Sequence, residues 1–223
     1  MRVFERLRID YCCGGALRLA DACERAGVPL GEAVSLLNEA DTAAAAGTGK
    51  NWNEQSAADL TAHITNTHHA FVRSEIPRLE SLLGKVTSRH GAAHAEVIEI
   101  GKLFLAAAQE LQGHLLREEQ ILFPYIEQLE RSIKQHSVPP QACFPSVEFP
   151  IARMIADHDD AGDLFARMST LSSQYTPPPG VCMSFQALYR GLQEFEQDLH
   201  RHIHLENNIL FPRAIELERA SNI

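Results

Sequence analysis

The chain has 223 residues and a formal charge of −9, with Lys and Arg scattered, which argues against nucleic acid or an anionic membrane as main partner. No run of about 18 apolar residues is present to span a bilayer, and no signal peptide precedes the first polar segment. Five cysteines, two of them adjacent, do not make a secreted disulfide framework and suit a reducing cytoplasm, while eleven histidines is a high count that asks where they sit.

Residues 1–42 are expected to form a small helical block. Val3 to Leu7 reads as the end of a short helix, followed by the turn Ile9-Asp-Tyr-Cys12-Cys13-Gly14-Gly15. Short amphipathic helices follow over Leu17 to Ala26 and Leu30 to Leu37, broken by Gly27-Val-Pro29. Such a block is too small to bury much surface alone. The Ala- and Gly-rich run over 43–50 reads as a linker. Residues 51–223 then carry four long helical patterns and no convincing strand.

Helix A is expected from about Ser56, with Asp59 in its first turn. Its inward stripe is Ala62, Thr65, His69, Val72, Ile76, Leu79 and Leu83, at helical spacing. His63 and His68 fall off that stripe, and Pro77 is expected to bend the helix without ending it. Helix B spans about 94–131, helix C about 147–173 and helix D about 185–219. Turns are marked by Gly91, by Pro139-Pro140 and by Pro177-Pro-Pro-Gly180.

One stretch occurs twice. His114-Leu-Leu-Arg-Glu118-Glu-Gln-Ile-Leu-Phe-Pro124 is matched 88 residues later by His202-Ile-His-Leu-Glu206-Asn-Asn-Ile-Leu-Phe-Pro212. Residues i and i+4 share one helix face, so each copy offers an imidazole beside a carboxylate. A lone His on an apolar face is usually a hydrogen-bonded core residue. Two matched pairs in one chain point instead to a bundle whose inward Glu and His hold two metal ions.

Counting locates the layer. Antiparallel neighbours sit at equal height when they are equidistant from their turn. The midpoint of His69 and His114 falls at Gly91, that of His114 and His158 at His136 in the Pro-rich loop, and that of His158 and His202 at Gly180. His69, His114, His158 and His202 therefore share one layer of an up-down-up-down four-helix bundle, with Glu118 and Glu206 as bridging carboxylates. His90 and His136 lie in turns, and His200 and His204 flank His202 as rim residues. Glu110 and Asp198, one turn before the ligand His, and Asp157, directly before His158, are expected in the second sphere or along an access path. Imidazole with carboxylate suits iron, manganese or zinc better than calcium or magnesium. The absence of Cys from the layer lowers the case for structural zinc.

These residues resemble the repair of iron centers family (RIC, YtfE/ScdA type), a branch of the hemerythrin-like di-iron proteins. The resemblance covers nearly the whole chain. It is carried by Asp10-Tyr-Cys-Cys-Gly-Gly15, Arg117 to Pro124, Asp157-His-Asp-Asp-Ala-Gly162, Thr176-Pro-Pro-Pro179 and Leu205-Glu-Asn-Asn-Ile-Leu-Phe-Pro-Arg213. Asp157 stands where a Glu is common before the ligand His. Family members usually begin a turn or more of helix earlier, so the first block is expected to be short at its start.

The resemblance implies a hemerythrin-like fold and two iron ions with oxo and carboxylate bridges, manganese or zinc being second choices. It also implies restoration of iron–sulfur proteins damaged by nitrosative or oxidative stress, through labile iron. Nitric oxide reduction at the centre is the alternative activity, and binding or sensing of dioxygen or nitric oxide a third reading. The third is weakened by the Cys-Cys block and by the lack of a fifth His in the layer. Cys12 and Cys13 are expected to act outside the centre, in redox or transfer steps. Placement at a helix start over Gly14–Ala16 would lower a thiol pKa, and a flexible tether would let the block swing.

Overall fold

The structure, a computed structural model, describes residues 2–15, 17–44 and 50–221. Among them every regular element is a helix. Three form the N-terminal block: α1 (Arg2–Leu7), α2 (Leu19–Ala26) and α3 (Leu30–Ala44). They close over a small core of Leu7, Ile9, Cys23 and Ala33. Gly27 ends α2 at φ 67, a left-handed conformation that suits glycine, and its N–H reaches back to the carbonyls of Cys23 and Glu24. Helix α3 continues past Leu37 through the alanines to Ala44, because alanine is the strongest helix former and nothing before it breaks the turn. The rest of the expected linker, 45–49, lies outside the described residues.

Four long rods follow. The first joins α4 (Ala57–His63), a π-helical turn (Ile64–His69) and α5 (Ala70–His90). The second joins α6 (Glu96–Arg117), a π turn (Glu118–Leu122) and α7 (Phe123–Gln135). The third is α8 (Glu148–Leu171). The fourth joins α9 (Met183–Leu205), a π turn (Glu206–Leu210) and α10 (Phe211–Ser221). Together they make the expected all-α bundle behind a small helical block. None of these helices is long and apolar enough to cross a membrane.

Local signals set the rod ends. Ser56 caps α4, its Oγ accepting the Asp59 N–H at 3.0 Å. The Ala57 N–H donates to Glu130 and the Thr61 hydroxyl to Glu127, which ties the start of the first rod to α7. Arg213 donates to the carbonyls of Trp52, Asn53 and Gln55 and holds that approach segment on α10. Pro77 lies inside α5, which continues to His90.

The apolar core divides in two along the rods. One cluster includes Val72, Ile76, Phe104, Leu111, Leu115, Phe165, Phe195 and Ile203. The other includes Leu60, Ile64, Leu122, Phe123, Ile151, Met154, Leu210 and Phe211. Each fully buried side chain of this kind contributes about 1.5–3 kcal/mol. Between the two clusters lies a polar layer whose burial would be costly if it had no partner.

Candidate metal centre

The six residues singled out by spacing meet in that layer. His69, His114, Glu118, His158, His202 and Glu206 are all buried, with both carboxylates fully so. They form two groups, His69/Glu118/His202/Glu206 and His114/Glu118/His158/Glu206, with the ligand atoms of each group within 4.8 Å of one another. Both carboxylates belong to both groups. Glu118 Oε1 lies 3.2 Å from His114 Nε2, and Oε2 lies 3.4 Å from His69 Nε2. Glu206 Oε1 lies 3.0 Å from His202 Nε2, and Oε2 lies 3.1 Å from His158 Nε2. Each Glu thus faces one ring on its own rod and one across the bundle.

The π turns place these groups. Phe123 N–H bonds the carbonyl of Glu118, and Phe211 N–H bonds that of Glu206, five residues back in each case. Pro124 and Pro212 follow directly. Proline has no N–H and its ring crowds the carbonyl four residues earlier, so the preceding turn opens. The wider turn lets two successive residues face inward where an α-helix would turn the second away. Glu119 Oε1 is 2.7 Å from His69 Nδ1, and Asn207 Oδ1 is 2.9 Å from His158 Nδ1. In the first rod the same device buries His68 beside His69.

His68 therefore departs from the expected off-stripe position. Its Nδ1 lies 3.0 Å from Asp198 Oδ2, and its ring stacks on His202. Asp198 bonds His68 and no ligand ring. Asp157 is 3.4 Å from His114 Nδ1 and is held by Arg117 and Arg153. Glu110 is exposed and, among the described residues, without a hydrogen-bond or ion-pair partner. The core stripe of α6 runs through Ala107, Leu111 and His114, which turns Glu110 to solvent, so its expected place beside the centre is not met. Glu119 and Asn207 occupy that role. They stand at matched positions of the repeat, which was the signal available for them in the sequence.

The donor set fits metal ions. Both oxygens of Glu118 and Oε2 of Glu206 are buried with no aligned hydrogen bond. Rings that give their Nδ1 proton to Glu119, Asp157 or Asn207 present bare Nε2 lone pairs inward. Nε2 of His69 is 3.2 Å from that of His202, and Nε2 of His114 is 3.0 Å from that of His158. Nitrogens facing at such distances need a shared proton or a metal cation between them. Burial and the charge of Glu206 push the Glu118 carboxyl up, but His114 and His69 outweigh them and hold it below its usual range. Burial raises Glu206 too, yet His202 and His158 bring it well below. Burial opposes charge on His114, but Glu118 raises it to about 9. His202 is lowered, by burial first. Both carboxylates therefore stay charged at neutral pH, and protons on the imidazoles compete there with metal.

The N-terminal block docks beside this layer. Asn208 Nδ2 donates to the carbonyls of Tyr11 and Cys12 at 3.1 and 3.2 Å. His204 lies against Tyr11, and His200 Nδ1 sits 3.5 Å from Glu5, so these two rim histidines are half-buried under the block. Cys12 packs into the bundle core and Cys13 is exposed. No helix opens at Gly14: α2 begins at Leu19. The N–H groups of Cys12, Cys13 and Gly14 are taken by the Asp10 carboxylate. The Cys12 thiol is pushed far up, by its hydrogen bond with Cys13, then by burial and nearby negative charge. The helix end expected to activate Cys12 is thus absent. His90 is remote from the layer and approaches Cys182.

The chain matches the hemerythrin HHE cation-binding domain over residues 60–214 and a domain of unknown function (DUF542, ScdA_N) over residues 1–41. It is 34% identical over 214 residues to a protein named "probable iron-sulfur cluster repair protein" from Haemophilus influenzae, covering 96% of this chain and 90% of that one. It is 35% identical over 214 residues to the iron-sulfur cluster repair protein YtfE of Edwardsiella ictaluri, with the same coverage. Identity to the YtfE protein of Citrobacter koseri is 35% over 215 residues, again covering 96% and 90%. A cation-binding bundle with its own docked N-terminal block, aligned almost end to end with these relatives, belongs to the hemerythrin-like family of YtfE-type iron–sulfur cluster repair proteins.

Proposed function

We propose that the protein holds two iron ions in the paired pockets and gives up iron to restore damaged iron–sulfur proteins in the cytoplasm. The observation that carries this reading is the pair of buried four-residue groups sharing two carboxylates, three of whose four oxygens have no hydrogen bond. Imidazole with carboxylate suits iron, and calcium or magnesium would want more oxygen. The names of the relatives supply the repair context.

Glu118 and Glu206 would be shared by the two ions, with His69 and His202 completing one position and His114 and His158 the other. Glu119, Asp157 and Asn207 fix three of the rings and keep their Nε2 free for metal. Phe123 stacks on His69 and Phe211 on His158, which closes those sides to water. Bound ferrous iron supplies exchangeable metal and reducing equivalents, with nitric oxide or dioxygen as small ligands. Cys13, exposed on the docked block, is the thiol placed to meet a partner.

The test is anaerobic reconstitution with iron, read by metal content and Mössbauer spectra, then transfer to a cluster enzyme inactivated by nitric oxide. Two coupled irons per chain and recovery of the damaged enzyme are expected. Glu118→Leu and Glu206→Leu lower the load or uncouple the pair, while His90→Ala leaves it unchanged. Recovery that is as fast with Glu118→Leu, or steady formation of nitrous oxide without iron transfer, overturns iron supply as the function.

A further inference from the structure

The centre is built on an approximate two-fold repeat, and the repeat is broken at one place. The second rod supplies His114, Glu118 and Glu119; the fourth supplies His202, Glu206 and Asn207 at the same spacing. The first and third rods each add the residue before their own ligand: His68 before His69, and Asp157 before His158. Asp157 approaches Nδ1 of His114 and holds that ring. Its counterpart His68 turns its Nδ1 to Asp198 and lies flat against His202, with ring centroids 5.7 Å apart and planes 6° from parallel. Nδ1 of His202, on a residue 1% exposed, is left without a partner. Each of the other three ligand rings has one.

The surroundings break the repeat at the same point. His69 and His158 are each backed by a phenylalanine ring. Behind His202 the column of rings stays polar. The His68 ring is 5.6 Å from that of His63, which stacks at 4.3 Å on Trp52. His63 and Trp52 line an open cleft with Lys50, Asp59, Asn66 and Thr67. A path of imidazole and carboxylate thus runs from the surface to the one ligand ring whose Nδ1 has no partner.

We propose that this column is the route by which metal ions reach and leave the centre. His202 is the ligand that lets go first. His68, its donor strength raised by the carboxylate of Asp198 behind it, takes the ion between His202 and the cleft. The phenylalanine-backed sides of His69 and His158 offer a desolvated cation no such partner, and beside His114 the Asp157 carboxylate is already held by the cations Arg117 and Arg153. The inference rests on the two-ion reading above.

The experiment follows exchange rather than turnover. Metal-free protein is mixed anaerobically with cobalt(II), and uptake is read from the visible absorption of the bound ion. Release is read from iron-loaded protein with a chromogenic ferrous chelator. His68→Phe and Asp198→Asn should still load two ions per chain, with uptake and release slowed by a similar factor, about tenfold or more. A merely structural role would weaken affinity and speed release. Glu110→Ala, an exposed acid elsewhere, should exchange at the wild-type rate. If His68→Phe does not fold, Asp198→Asn carries the test. Wild-type rates in Asp198→Asn and His68→Phe at full load, or equal slowing by Glu110→Ala, overturn the route. Failure of the wild-type chain to take up two ions would instead overturn the two-ion reading.

Discussion

Glu119 offers the sharpest test of how the centre is held. Its Oε1 lies 2.7 Å from His69 Nδ1, and both oxygens receive Arg73 at 2.7 Å. A hydrogen bond to a charged partner contributes about 1.5–3 kcal/mol, which at about 1.4 kcal/mol per decade is roughly 10- to 100-fold in metal affinity. The Arg73 side chain is 48% exposed, so it returns to water without penalty, and Glu119 itself is 23% exposed. Solvent therefore places Glu119→Ala at the lower end, about tenfold. Glu119→Gln keeps an acceptor for His69 and loses only the charge; a neutral bond of about 1 kcal/mol is retained, so the loss is about 0.5 kcal/mol, roughly twofold. Glu110→Ala should change nothing. Anaerobic competition between iron-loaded protein and a ferrous chelator gives each constant. Binding by Glu119→Ala within twofold of wild type, or equal losses in Glu110→Ala, would refute the assignment.

Three further outcomes are expected. Burial, with the charge of Glu5 adding to it, raises the Glu196 carboxyl to about 7, against an opposing pull from His200. Between about 4.5 and 7 the folded chain then binds more protons than the unfolded one, and stability falls as pH rises through that window. Glu196→Gln should escape a cost of about 3 kcal/mol and melt about 6–12 °C higher at pH 8, with no gain at pH 4; an equal gain at both would point to another cause. A Cβ on Gly15 would overlap the Asn208 side chain, coming within 2.7 Å of its Cγ. Gly15→Ala should therefore loosen the block, seen as faster amide exchange over residues 2–15 at unchanged metal load, and unchanged exchange would deny the docking. The Cys12→Ser/Cys13→Ser double variant should keep its iron and optical spectrum while losing cluster repair. Loss of iron would bring the thiols into the centre, and full repair would leave them a packing role.

The layer was legible because it depends on length alone. Three turns marked by Gly and Pro fix which residues stand at equal height, and the rods between them are helical throughout. What was not legible depends on a local change of period. An α-helical count assigns one inward residue per turn and so picks Glu110 and sets His68 aside. The π turns put Glu119, Asn207 and His68 next to the ligands instead. Pro124 and Pro212 signal two of those turns; the first, at Ile64–His69, has no proline after it within the same reach. The thiol environment was hidden for a different reason. Asp10 lies two residues from Cys12, and only the folded turn shows its carboxylate taking the N–H groups that would otherwise have favoured a thiolate.

Three consecutive residues of the last π turn face three different things. Glu206 faces the metal layer, Asn207 holds His158, and Asn208 grips the carbonyls of Tyr11 and Cys12. One short turn therefore joins the centre to the block. Thermodynamic linkage makes such an arrangement reciprocal. Whatever factor metal adds to the docking of the block, docking must return to metal affinity, and a partner that draws the block away loosens the ions by the same amount.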